Sequence, residues 1–408
     1  MKDSIAIFWF RRDLRLHDNH GLYQALKGDH PVLPIFIFDT EILDRLPKND
    51  ARVGFIYKQL QSLRQQLEAS GSGIALYHGN PAKVFEKLCA NYDIKTVYTN
   101  HDYEPYALER DSLIGSFLNG HGILFHTFKD QVIFEKNEIV KTDGTPYVVY
   151  TPYMKLWKHR YRLQGALPEF DTAPLMDQLF RQSSFPNVSL EEMGFKTPDV
   201  TVPDFTVTAE LIQQYENTRN FPALNGTSRL GPHLRFGTVS IRQMIRKATR
   251  EQNEVFWQEL IWREFFMQIL WHFPHTLNNA FKPKYDRIEW RNNETEFELW
   301  KQGKTGFPLV DAGMRELNST GYMHNRVRML VASFLCKHLL IDWRWGESYF
   351  AEKLLDYEMA SNVGNWQWAA GSGVDAAPYF RIFNPTTQIE KFDKAREYIC
   401  QHVPEFGT

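Results

Sequence analysis

Cysteine is scarce in this sequence: Cys89, Cys336 and Cys400 stand far apart in 408 residues. Three isolated thiols make neither a disulfide framework nor a zinc site, which excludes the small disulfide-stapled class and argues against metal chemistry. Long hydrophobic runs are missing as well. The opening MKDSIAIFWFRRDLRLHDN has an apolar stretch far too short to span a bilayer and no small-residue cleavage site. A soluble protein without a membrane partner, cytoplasmic in location, is expected. Nor is there an excess of charge of one sign, since 47 Lys and Arg balance 49 Asp and Glu to a net charge of −2. Without a global positive field, any contact with a polyanion must be local. Finally, no GxGxxG or GxxxxGK[ST] follows the first apolar run, so these motifs specify neither a dinucleotide nor a nucleoside triphosphate.

What the chain does have is tryptophan, concentrated late. Of the 11, nine lie beyond residue 250: Trp257, Trp262, Trp271, Trp290, Trp300, Trp343, Trp345, Trp366 and Trp368. Buried aromatics usually just pack, so by itself this reads as a Trp-rich helical core. The length suits two or three domains. In the first part, apolar runs at Ser4–Phe10, Val32–Phe38, Gly73–Tyr77, Thr96–Thr99 and Ile123–Phe128 alternate with amphipathic segments at Phe55–Ala69, Ala82–Asn91 and Pro105–Leu118. Such alternation predicts an α/β domain with a parallel, Rossmann-like sheet over 1–130. Residues 131–205 turn polar and proline-bearing and read as a connector. From 206 to 408 helical periodicity dominates, at Thr208–Asn217, Ser240–Arg250, Glu254–Trp271, Asp311–Leu317, Met323–Leu340 and Glu347–Tyr357, and predicts an all-helical domain.

Four segments combine residues of chemical interest. The run TRNFPALNGTSRLGPHLRFG from Thr218 to Gly237 offers hydroxyls and backbone amides that suit an anion, or forms an ordinary capped loop; spacing does not separate the two. Glu259 and Trp262 share a helix face at a three-residue step. Asn325, Arg328 and Met329 fall on one face at i, i+3 and i+4, and a charged face packing one methionine is the plainer account. In DYEMASNVGNWQW, Trp366 and Trp368 supply flat surfaces among small and amide residues, which suits stacking on a planar ring.

Taken together, FWFRRDLRLHDN, NGTSRLGPHLRFG, ELIWREFF, DAGMRELNSTGYMHNRVRM, LLIDWRWGESYF and SNVGNWQWAAGSGVDAAPYFRIFNPTTQ resemble the photolyase and cryptochrome family almost end to end. The nearest branch is the class I cyclobutane pyrimidine dimer photolyases. The resemblance implies an N-terminal domain for a light-harvesting chromophore and a helical domain that binds FAD. Its flavin contacts match Tyr215, Thr227, Ser228, Arg229, Leu230, Arg328, Asp356, Glu358 and Asn362. Arg328 and Asp356 resemble the ion pair beside the flavin ring, and Asn362 the residue facing its N5. Glu259 resembles the carboxyl group that hydrogen-bonds the dimer, Trp262 and Trp368 the walls around it, and Asn325 and Met329 further lining. The (6-4) photolyases carry histidines in the segment occupied here by Met323–Met329, where this chain has Asn325.

Arg219, Arg326 and Arg381, with Trp262 and Trp368, match positions at damaged DNA, duplex being favoured. Trp290, Trp343 and Trp366 match a relay that reduces the flavin from the surface. The implied reaction is one electron lent by photoexcited FADH⁻ to a flipped-out dimer and returned after both cyclobutane bonds break, in a monomer that would be nucleoid-associated if bacterial. Three departures stand out. Tyr103-Glu-Pro-Tyr-Ala107 lacks the Asn-Glu pair of folate-binding members, which argues against a folate antenna and leaves a deazaflavin, a second flavin or none. Glu358 replaces the Asp of many relatives, and Asn365 a frequent Gly. The chain ends at Gly407-Thr408, short of the basic C-terminal helix usual in relatives, as a truncated second domain would. Alternative readings are a cryptochrome-type photoreceptor, which a long C-terminal extension would favour, and a single-strand DASH relative, which Met329 and the Trp-Gln-Trp wall disfavour.

Overall fold

The computed structural model describes residues 2–376 and 382–406 and divides into two compact units. The first comprises Met1–Ile133, Ala166–Val202 and Gly231–Arg246; the second comprises Phe134–Gly165, Pro203–Leu230 and Lys247–Thr408. Among the described residues no helix is long and apolar enough to cross a membrane.

The first unit is built on β1 (Ser4–Phe10), β2 (Val32–Asp39), β3 (Ala75–Gly79), β4 (Asp93–Asn100) and β5 (Leu124–Phe128), in the order β3-β2-β1-β4-β5. All neighbouring strands run parallel. Phe8, Phe10, Phe36 and Phe38 enter one apolar cluster, whereas Ile7, Trp9, Ile35 and Ile37 enter another. Side chains alternate across a strand, so a sheet buried on both faces reads as the unbroken apolar runs of β1 and β2. Helices α1 (His20–Leu26), α2 (Ala51–Glu68), α3 (Pro81–Asn91) and α4 (Pro105–Gly120) link the strands. Asn19, Asp50 and Asn80 cap the first three by accepting from first-turn amides, as short polar side chains do.

Buried charge ties a late segment into this unit. Arg242, 4 % exposed, reaches Asp18 at 3.0 Å and Asp130 at 2.8 Å. Arg15 takes the other oxygen of Asp130 at 2.6 Å, and the Ser240 hydroxyl donates to Asp18 at 2.5 Å. Burial opposes ionisation of Asp130, but the two guanidinium groups outweigh it and hold the carboxyl far below its ordinary pKa.

The second unit is helical: α5 (Tyr150–Gln164), α6 (Ala209–Thr218), α7 (Val255–His272), α8 (Pro308–Thr320), α9 (Asn325–Lys337), α10 (Trp343–Lys353) and α11 (Met359–Ala370). Trp300, Trp343 and Trp366 sit in its main core, with Trp290, Trp345 and Trp368 packed against it half-buried.

Two expectations need correction. Residues 131–205 are no connector, because 134–165 belong to the second unit and 166–202 to the first, as do 231–246. Helix α5 buries Tyr150, Tyr153 and Trp157, a single helical stripe that polar neighbours obscure over so short a stretch. The helix expected at Glu347–Tyr357 instead begins at Trp343, where Asp342 accepts from the Arg344 amide at 3.0 Å, and stops at Lys353. Asp356 and Glu358 therefore lie in the turn before α11.

Candidate functional site

Helices α9, α10 and α11 of the second unit enclose an open recess of about 600 Å³. Its apolar lining comes from Ala332, Phe350, Leu354, Trp366 and Ala369, and its polar lining from Asn325, Arg328, Asp356, Glu358 and Asn362; Met329 and Trp368 complete the wall. The capping of α9 explains the first contribution. The His324 ring accepts from the Arg326 amide at 3.2 Å, so the helix starts at Asn325 and directs Asn325, Arg328 and Met329 along one face. His324 is itself buried, its Nε2 has no partner among the described residues, and burial with Arg328 and Arg326 lowers its pKa to about 4.

At the floor, Arg328 grips Asp356 with two bonds of 3.0 and 2.9 Å and bonds the Met323 carbonyl at 2.6 Å. Burial disfavours the cation, but the Asp356 carboxylate more than offsets this and raises the Arg328 pKa. The Asn362 amide nitrogen donates to Glu347, at 2.9 Å to the carboxylate and 3.2 Å to the backbone carbonyl. Two acceptors on one nitrogen orient the amide, so its oxygen is the atom left for a ligand in the recess. Glu347, raised in pKa by burial against the Asn362 bond, carried no motif signal. Glu358, 7 % exposed, pairs with Arg263 of α7 at 3.5 Å.

The Thr227–Leu230 loop reaches the same neighbourhood through Tyr322, which the sequence did not single out. The Thr227 hydroxyl lies 3.3 Å from the Tyr322 hydroxyl, and Arg229 and Arg328 stand over that ring at 5.5 and 5.7 Å. Arg229 has φ 52°, the left-handed region that side chains rarely adopt without a constraint. The Leu230 amide donates to the Ser228 hydroxyl at 3.3 Å. A flat apolar wall with one fixed cation, a directed amide and a hydroxyl-bearing loop fits a flavin with a phosphate-linked tail.

The residues expected at a lesion divide. Asn325, Met329 and Trp368 line the recess, whereas Glu259 and Trp262 stand on α7 and are not among its lining residues. Glu259 is ion-paired to Arg219. Tyr215, next to both, has its phenol pKa raised by burial and the Glu259 charge. Arg326 bonds Asn220 and lies 4.5 Å over the Phe392 ring; its Nε has no partner among the described residues, and burial and nearby Arg219 lower its pKa. A cation with neutral partners beside another cation suits an anion such as a phosphate. Arg381 lies outside the described residues.

Of the three expected relay indoles, Trp366 forms part of the recess wall, Trp343 is buried and Trp290 half-buried. The indole found against Trp366 is Trp300, at 6.2 Å and 71°. Trp366 also presses on α10 at Gly346, where a Cβ would collide with the indole and with Leu335. Gly346→Ala is expected to lower stability by about 1–3 kcal/mol, the usual range for overpacking, seen as a lower melting temperature. An unchanged melting temperature would mean that the indole yields freely.

The first unit has its own recess, of about 820 Å³, at the carboxyl ends of β1 and β2, beside the switch point of a doubly wound sheet. Phe36, Ile37, Phe38 and Phe236 line it together with Trp9, over which Arg11 and Arg110 lie at 5.1 and 4.9 Å. Its arginines already have acid partners: Arg11 and Arg110 on Asp111, Arg12 on Asp102, Arg235 on Glu104. The Tyr106 hydroxyl donates to Asp39 at 2.5 Å.

Comparison with known proteins matches residues 6–174 to the family DNA photolyase and 256–408 to the FAD binding domain of DNA photolyase. The deoxyribodipyrimidine photo-lyase of Halobacterium salinarum is 40% identical over 98% of this chain and 89% of its own length. A bacterial class III photolyase from Agrobacterium tumefaciens superposes with a TM-score of 0.87 at 35% identity, covering 99% of this chain and 87% of that one. An archaeal photolyase from Sulfolobus tokodaii, crystallised with two FAD molecules, gives 0.81 at 36% identity, over 98% and 90%.

Proposed function

The chain belongs to the DNA photolyase family, and on that premise we propose that it splits cyclobutane pyrimidine dimers in DNA, using light and a reduced FAD held in the recess of the second unit. The observation that carries this reading is the convergence on one recess of Arg328, Asp356 and Asn362, which suit the flavin, with Asn325, Met329 and Trp368, which suit a flipped pyrimidine dimer. Photolyases are among the enzymes known to extrude their target base. The bound flavin supplies the photoexcited electron. The chain supplies the rest. Arg328, fixed by Asp356, presents a cation to the ring; the Asn362 oxygen faces a donor; and backbone and hydroxyl groups of Thr227–Leu230 hold the phosphates.

Trp262 and Trp368 wall the dimer. Glu259 hydrogen-bonds a pyrimidine of the dimer as donor to a carbonyl oxygen, where negative charge develops, which requires it to leave its Arg219 partner, and Arg219 is then released to a DNA phosphate. Arg326 serves the neighbouring phosphate, and such contacts set register without reading sequence. We place a second, light-harvesting chromophore in the recess of the first unit. Because each arginine named there already has an acid partner, what remains for a ligand is a flat apolar wall, which suits a flavin-like ring.

The test is repair of a duplex carrying one thymine dimer by the photoreduced holoprotein, with a dark control and a (6-4) lesion alongside. Light-dependent loss of the dimer alone is expected, and Glu259→Ala is expected to lower repair per absorbed photon more than it lowers affinity, as for an interaction strengthened in the charged intermediate. Equal yield in this variant would make the carboxylate a spacer. Flavin photoreduction without repair of either lesion would instead mark a photoreceptor.

A further inference from the structure

Trp262 has one face already covered. Tyr150, the first residue of α5, lies flat on its indole with ring centroids 3.5 Å apart and planes at 8°. The Tyr150 hydroxyl donates to the Gln258 carbonyl at 2.7 Å, one helical turn before Trp262 on α7. Burial, reinforced by the Glu259 charge, raises the Tyr150 phenol, so this hydroxyl stays a donor. Phe265 meets both rings edge-on, at 5.8 Å and 77° from Tyr150 and at 5.6 Å and 83° from Trp262.

Tyrosine is thus anchored at two points on the same helix: hydroxyl on the backbone at 258, ring on the indole at 262. A rigid ring tied to the backbone one turn away cannot slide, and neither can the indole stacked on it. The contact also joins α5, from the stretch that reads as a connector, to the helix that carries Glu259. Phe266 also lies near the indole, at 5.6 Å and 26°, and Trp262 as a whole is half-buried, so part of its surface stays available to a ligand.

We infer that Tyr150 is a positioning residue for the lesion wall: it immobilises the Trp262 indole in advance, so that a flipped pyrimidine dimer meets a preformed surface and does not have to order it on binding. The inference rests on the reading of Trp262 as that wall. Ordering one side chain on binding lowers affinity by on the order of tenfold, and this sets the size of the expected effect.

The experiment uses the FAD-loaded protein in the dark, with duplexes that carry one thymine dimer or none, read by fluorescence anisotropy. Tyr150→Leu is expected to weaken the dimer duplex about tenfold while leaving undamaged duplex affinity and flavin absorbance unchanged, and Tyr150→Phe, which keeps the ring, to restore most of the loss. Repair per absorbed photon at saturating DNA is expected to stay at the wild-type value, as for a residue that acts on binding alone. In a double-mutant cycle, Tyr150→Leu adds nothing to Trp262→Ala if it acts through that indole.

Wild-type dimer affinity in Tyr150→Leu, or a full additive loss in the double variant, overturns the assignment. If Trp262→Ala by itself keeps dimer affinity, the reading of the wall falls first and the positioning role with it. Should Tyr150→Leu lose flavin, Tyr150→Met, which refills the volume, carries the same expectation. Loss of flavin from both would make Tyr150 a plain core residue and overturn its role at the lesion.

Discussion

Asp356→Ala is expected to release most of the FAD on purification and to destabilise the helical unit by about 1.5–3 kcal/mol, the range for hydrogen bonds to a charged group. The reason is the position of Arg328. Its side chain, 23 % exposed, lines the recess, with two bonds to Asp356 and one to the Met323 carbonyl. Without the carboxylate the cation keeps a single neutral acceptor, and the Tyr322 ring beside it returns only a small part of the lost attraction. The checks are the ratio of flavin to protein absorbance and the melting temperature. Asp356→Asn, which keeps the shape and loses the charge, is expected to fall between. Full flavin content in the alanine variant would mean that the recess holds the cofactor by its apolar walls.

The second large effect belongs to the α/β unit. Asp130 is 1 % exposed and shared by Arg15 and Arg242, so Asp130→Asn leaves the buried Arg15 without its carboxylate partner and Arg242 with Asp18 alone, and is expected to cost about 3–5 kcal/mol. The pH dependence has a definite sign. A carboxyl whose folded pKa lies below the ordinary value of about 3.9 stabilises the fold in full above that pH and loses its contribution as the pH falls toward the folded value. Asp130, held far below by Arg15 and Arg242, therefore contributes at neutral pH and progressively less below about pH 4. Melting temperatures of wild type and Asp130→Asn should differ most near pH 7 and converge in acid. A difference independent of pH would show that packing, and not charge, explains the loss.

Much of the architecture was legible because it rests on local rules. The strand at Ser4–Phe10 was read to the residue, since a sheet covered on both faces demands an unbroken apolar run. Helices α6 and α7 were read to within a residue at each end. Boundaries slipped where a cap decided them. Asp342 caps α10, which starts at Trp343, four residues before Glu347, and His324, whose ring is not a usual cap, caps α9.

The connector was misjudged for a different reason. The stretch 131–205 contributes a helix to one unit and residues 166–202 to the other, and a chain that crosses between two cores shows no single period.

The sequence by itself determined the α/β-then-helical order, the family, and the residue types available to the chemistry, because apolar period and long ordered motifs survive in one dimension. Only the tertiary structure decided which of those residues share a recess. It joined Glu347 to Asn362 and Arg219 to Glu259, placed Trp300 rather than another indole against Trp366, and laid Tyr150 on Trp262. Each pair comes from different elements, and whether two side chains meet across elements depends on helix rotation and packing depth, which sequence spacing does not encode.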